Sequence, residues 1–106
     1  MPGNSQTNPS SAIPVYVVTG GGTPIGYQQI TSLTAAVNLT PPAGATSAII
    51  IGSGAAVRYR DDGTAPTATV GMPLAIATPL TYTGFLSVVQ FIQQTSSATL
   101  DVMYYS

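Results

Sequence analysis

Five charged side chains carry nearly all the acid–base chemistry of this sequence. Four of them fall in one stretch, Arg58-Tyr59-Arg60-Asp61-Asp62-Gly63, and Asp101 is the fifth. Asp61 and Asp62 have the oxygen chemistry of a cation ligand pair or of a general acid and base. Asp101 with either of them would make the two-carboxylate pair of a glycoside hydrolase. Against this, neighbours on an extended chain point to opposite sides, calcium takes roughly six to eight oxygen ligands, and Asp-Asp-Gly is equally turn chemistry. Cysteine and histidine are absent, and neither lysine nor glutamate occurs. Without thiolate, imidazole or amine, the usual nucleophiles, general bases and zinc ligands are missing. The residues argue against an autonomous enzyme and lead to an expectation of no metal and no cofactor.

Arg58 and Arg60 share one face of an extended segment, and two readings of them stand side by side. They pair with Asp61, Asp62 or Asp101 and solubilise a hairpin, which for exposed pairs carries little energy. Alternatively Arg58, Tyr59, Arg60, Asp61 and Asp62 form a subunit interface, where arginine is favoured for its planar, bidentate pairing with carboxylates. The Gly20-Gly21-Gly22-Thr23-Pro24-Ile25-Gly26 loop lacks the lysine of a phosphate-binding loop and the spacing of a dinucleotide fingerprint, so it reads as a flexible linker. Tyr59, Tyr82, Tyr104 and Tyr105 have the chemistry of a carbohydrate platform, although tyrosines alternating along strands more often pack core and interface.

These residues must be positioned by a small domain. A length of 106 residues suits one folding unit, and 5 % charged residues against 44 % hydrophobic ones is not the composition of a disordered chain. With two arginines and a net charge of −1 the chain lacks the cations that give nucleic-acid affinity or attraction to anionic membranes. No signal peptide or membrane span is expected from its N-terminus.

Residues 1–12 are polar, without apolar period, and read as an arm; residues 1–24 together are expected to be an attachment segment and linker, and residues 25–106 the domain. Within the first part, residues 13–19 (IPVYVVT) have strand composition opened by Pro14. Residues 31–40 alternate Leu33, Ala35, Val37 and Leu39 with polar or small residues, predicting a strand. Further strands are predicted at 45–51, at 55–60 with Val57 and Tyr59 on one side, around Val70, Met72 and Leu74, within 75–82, and at 98–105. The segment 85–93 (FLSVVQFIQ) reads as a strand by composition or as a helix of two turns. Seven or eight short strands with frequent turn signals predict an all-β, single-domain antiparallel β-sandwich, jelly-roll-like, with an extended N-terminal arm. Edge strands are normally guarded by charge. This chain has little charge to place there, so assembly with neighbours is expected to cover its edges.

Two stretches resemble small β-structured virion proteins of tailed bacteriophages, of the capsid decoration and head-fibre type. One is Ile13-Pro14-Val15-Tyr16-Val17-Val18-Thr19-Gly20-Gly21-Gly22. The other, more specific, is Ala56-Val57-Arg58-Tyr59-Arg60-Asp61-Asp62-Gly63-Thr64-Ala65-Pro66-Thr67 continuing to Gly71-Met72-Pro73-Leu74. With residues 97–105 the resemblance spans most of the chain from Ile13 onward. It implies a module made in the host bacterial cytoplasm, often a homotrimer, displayed on the outer capsid surface and attached through its N-terminal segment; the strand-forming Pro14, Val15, Tyr16, Val17 and Val18 of that segment are the expected contact with the major capsid protein, by strand addition. It carries over no catalytic residue. The short arm has no collagen-like or coiled-coil repeat, which departs from a long fibre shaft. A receptor- or glycan-binding module of a tail fibre or baseplate is the alternative.

Overall fold

The computed structural model describes residues 22–106. The expected arm, the strand at 13–19 and the attachment residues Pro14 to Val18 lie outside the described residues. Within them the fold is all-β: β1 (Pro24–Ile30), β2 (Val37–Asn38), β3 (Ser47–Ser53), β4 (Val57–Arg60), β5 (Met72–Leu74), β6 (Leu80–Tyr82), β7 (Gln90–Gln93) and β8 (Thr99–Tyr105). They form two four-stranded sheets, ordered β1-β8-β3-β6 and β2-β7-β4-β5, with every neighbouring pair antiparallel.

β8 shows how the sequence makes this sandwich. Its alternation sends Leu100, Val102 and Tyr104 inward to full burial and leaves Asp101, Met103 and Tyr105 on the outer face. β3 contributes Ala48 and Ile50 beside them, and the second sheet answers with Val57, Phe91 and Leu74. Tyr59 and Phe91 face each other across β4 and β7 with ring centroids 5.6 Å apart, a tilted aromatic pair in which half-buried Tyr59 packs against the core through fully buried Phe91. Burying each large apolar side chain contributes roughly 1.5–3 kcal/mol.

Three of the strands on sheet edges, β2, β5 and β6, have two or three residues, and such short edges offer little backbone to a foreign strand. The long edge, β1, is opened by Pro24 and held by Gln28. The Gln28 Oε1 accepts hydrogen bonds from the Tyr104 hydroxyl at 2.5 Å and the Thr40 backbone N–H at 3.0 Å, while its Nε2 donates to Thr40 Oγ1 at 3.3 Å. A polar group inside the sandwich is thereby satisfied, and the segment after β2 is tied to β1.

Several expectations shift. Residues 24–30 form a strand where the sequence placed a loop as far as Gly26 and no element at 27–30, because Pro, Gly and two glutamines hide the alternation. The strand expected over residues 31–40 contracts to Val37 and Asn38; Leu33 and Leu39 are buried from loops, and Ala35 is exposed. Residues 85–93 combine both readings. Val88 and Val89 donate backbone bonds to the Phe85 carbonyl, making a single turn that buries Leu86 and Val89, before β7 begins at Gln90. Strand alternation would put Val88 on the same side as Leu86; the turn's helical spacing buries Val89 with Leu86 instead.

The pairing register sorts the loops to two ends. The start of β1 (Pro24 opposite Tyr105), loops 39–46, 61–71 and 83–89, and the C-terminus share one end; loops 31–36, 54–56, 75–79 and 94–98 share the other. At that second end Gly54 has φ +81° and a Cβ there would sit 2.1 Å from the Ser97 carbonyl oxygen, whereas Gly63, at φ +86°, faces open space. Gly63→Ala is expected to cost about 1–2 kcal/mol, the left-handed backbone penalty alone. Gly54→Ala must also displace backbone and is expected to lower the melting temperature clearly further. Equal melting temperatures for the two variants would contradict this packing.

Candidate functional site

β4 carries Arg58 and Arg60 on the outer face of its sheet and turns Val57 and Tyr59 inward, as the alternation predicts. The chain then leaves the sheet at Asp61. It returns as β5 after an eleven-residue loop, residues 61–71, so β4 and β5 form a hairpin with a long connection. Arg60 grips Asp62 in a two-point pair, Nε to Oδ1 at 3.1 Å and Nη2 to Oδ2 at 2.5 Å, and the Asp62 Oδ1 also accepts the Thr64 N–H. The arginine bond, with help from Thr64, holds the Asp62 carboxyl below the ordinary carboxylate range, and the carboxylate in turn raises Arg60. Both groups are solvent-facing, so the pair orders the loop more than it stabilises the fold.

Arg58 takes another partner. Its Nη1 donates to the Gly71 carbonyl at 2.8 Å, closing the base of the loop, while its buried Nε has no acceptor. Gly71 is required there. At φ +140° it packs so tightly that a Cβ would lie 3.1 Å from Pro66 and 3.2 Å from both Arg58 Cβ and the Tyr59 carbonyl oxygen. The tip is closed by reciprocal backbone bonds between Thr67 and Val70, with Thr67 Oγ1 accepting the N–H groups of Thr69 and Val70. Arg60, Asp61, Asp62, Val70, Gly71 and Met72 line a shallow cavity of about 260 Å³.

Asp61 points away from Asp62 and toward β6, where its Oδ2 accepts the Tyr82 hydroxyl at 2.8 Å. This bond joins the 61–71 loop to the other sheet. Burial first, then the hydrogen bond to Asp61 and the nearby carboxylate charge, push the Tyr82 phenol up to about 12. Gly84 leaves room for that phenol, since a Cβ there would meet the Tyr82 hydroxyl at 2.4 Å and force the ring to shift.

Asp101 belongs to the opposite sheet. On its outer face Asp101 Oδ1 accepts the Tyr27 hydroxyl at 2.7 Å and the Gln29 Nε2 at 3.0 Å. That hydrogen bond, with lesser contributions from desolvation and the carboxylate charge, raises the Tyr27 phenol. The three aspartates therefore serve three different partners and do not meet. Among the described residues no group of three His, Cys, Asp or Glu side chains gathers to hold a metal. The four tyrosines singled out from sequence make no common platform. Tyr104 and Tyr82 are buried, Tyr59 packs on Phe91 inside, and Tyr105 is half-buried on the outer face. Among the described residues the tyrosine that stands open is Tyr27, 59 % exposed. Sequence reasoning passed over Tyr27 and Gln29 because their partner lies 74 and 72 positions away, and no local signal marks such a pairing.

No family model, curated protein or solved structure matches the chain.

The Tyr82–Asp61 bond gives a pH prediction. A phenol whose folded-state value lies above its unfolded value of 10 stabilises the fold fully below pH 10, and that contribution is lost as pH rises toward about 12. Ultraviolet titration of Asp61→Asn is expected to bring this ionisation down while leaving it above 10, because burial is the larger cause. An unchanged titration curve would show that the bond does not hold the phenol.

Proposed function

We propose that this chain is a non-catalytic structural module, a capsid decoration protein of a tailed-phage virion. In this reading it binds the major capsid protein on the outer shell through Pro14, Val15, Tyr16, Val17 and Val18, and it assembles as a homotrimer. The sheet orders β1-β8-β3-β6 and β2-β7-β4-β5 support reading the sandwich as an eight-stranded jelly roll of two Greek keys, an architecture used by viral capsid and lectin domains. Architecture alone does not assign a function.

The observation that carries the attachment reading is which end of the sandwich the N-terminal segment joins. Residue 22 leads into β1 at the end that also bears Arg60, Asp61, Asp62 and the exposed apolar side chains Val70, Met72 and Phe85, the last 78 % exposed. An attached arm would bring those side chains down onto whatever surface it holds. Arg60 is locked by Asp62 and Arg58 by the Gly71 carbonyl, so the loop meets a partner already ordered and little conformational entropy is lost on contact.

Stabilisation follows from linkage: a protein that binds the assembled shell and not its separated subunits favours assembly by mass action. Particles lacking this chain are expected to lose integrity at lower temperature and after milder osmotic shock, and purified full-length protein is expected to restore both. Protein carrying Val15→Asp with Val17→Asp is expected not to restore them. Depleted particles as resistant as complete ones would remove the stabilising role.

A further inference from the structure

The outer face of the β1-β8-β3-β6 sheet holds a constellation that the attachment reading does not use. Register places Tyr27 opposite Met103 and Met103 opposite Ile49; in the adjacent outward row Gln29 stands opposite Asp101 and Asp101 opposite Ile51. The result is an open aromatic ring with an amide and a carboxylate in the neighbouring row and a low apolar floor beyond. The ring is fixed at its far end, since its hydroxyl donates to Asp101 Oδ1, which also accepts Gln29 Nε2. Asp101 Oδ2 and Gln29 Oε1 accept no hydrogen bond from any described residue, which gives the patch two acceptors beside the ring.

We propose that Tyr27, Gln29 and Asp101 form a binding site for a neutral oligosaccharide. A pyranose offers one face of C–H groups, which an exposed aromatic ring covers, and an edge of adjacent hydroxyls, which a carboxylate and an amide oxygen accept. Each partner required by that chemistry is present here in one patch. The charge balance chooses among sugars. Asp101 is the only charged group of these two outward rows, and both arginines lie on the outer face of the other sheet. Uronic and sialic acids, phosphorylated sugars and nucleotides would meet a carboxylate with no cation beside it. Ile51, 37 % exposed, and the half-buried Met103 continue this open face beside the ring and leave no enclosed pocket for one unit, so a linear chain of two or more sugar units fits better than a single buried one. Prior fixing of the tyrosine ring limits the entropy lost on binding.

This site lies on a sheet face and not at the end that receives the arm, so it stands or falls independently of capsid attachment. The test is a two-dimensional amide NMR titration of the full-length protein with neutral hexose and N-acetylhexosamine oligomers, each taken to millimolar concentration. At least one oligomer is expected to shift the amides of Tyr27, Gln29, Ile51, Asp101 and Met103, and its uronic-acid counterpart to bind more weakly. Tyr27→Ala is expected to weaken binding about tenfold, the ceiling of a single stacking contact. Tyr27→Phe keeps the ring and is expected to bind better than the alanine variant. Asp101→Asn tests the carboxylate, with the melting temperature of each variant showing that the sheet survives. Absence of shifts at these residues with every oligomer, shifts confined to another surface, or equal affinity for Tyr27→Ala and wild type would each overturn the proposal.

Discussion

Much of this structure depends on one strand being able to bury one face and expose the other while paired on both edges. β8 lies between β1 and β3, so Leu100, Val102 and Tyr104 reach the core from the middle of their sheet. A single-residue slip would carry Asp101 into the interior and leave Tyr104 outside, and an unpaired buried carboxylate is too costly to be tolerated. The only charge of the strand thus fixes its register from the outer side. Tyr104 fixes it from the inner side, because its buried hydroxyl has a partner in Gln28 only in the register observed.

Scarcity of charge shapes the remainder. Every ionic group holds a distinct part of the fold. Arg60 and Asp62 hold each other at the start of a loop, Arg58 closes its base, Asp61 joins the two sheets through Tyr82, and Asp101 fixes Tyr27. Neutral polar residues fill the places that lysine and glutamate take elsewhere. Gln28 ties a loop to an edge strand, and Asn38 donates to the Ser87 and Val88 carbonyls to hold the turn before β7. A surface built in this way carries weak long-range fields, so recognition must come from contact and shape.

The all-β class and β3, β4 and β8 were legible from the residues, because each combines branched or aromatic side chains with a clear alternation or a run that fills the core. The alternation from Thr31 to Thr40 was misleading for a physical reason: buried Leu33 and Leu39 belong to loops that bend inward, and a period of two arises readily among small residues. β1 was hidden by Pro24, Gly26, Gln28 and Gln29, residues whose roles depend on a partner elsewhere. At the candidate site the sequence left the partner of Arg60 open among Asp61, Asp62 and Asp101, but the opposed directions of Asp61 and Asp62 follow from local geometry and could be read. The bonds from Tyr82 to Asp61 and from Tyr27 and Gln29 to Asp101 could not, since only the order of strands brings those residues together.

The placement of β1 also sets how the domain answers a mechanical load. The N-terminal segment joins β1 at the end where β8 finishes, and the Ser106 N–H bonds the Thr23 carbonyl there at 2.9 Å. A pull along the sandwich axis through residue 22 draws β1 lengthwise past β8, so the rungs of that ladder are loaded together in shear, with the bonds of Gln28 to Tyr104 and Thr40 as a further catch. A sideways pull opens the same ladder one rung at a time from Pro24. Tethered by its N-terminal segment, the domain resists axial tension far better than peeling.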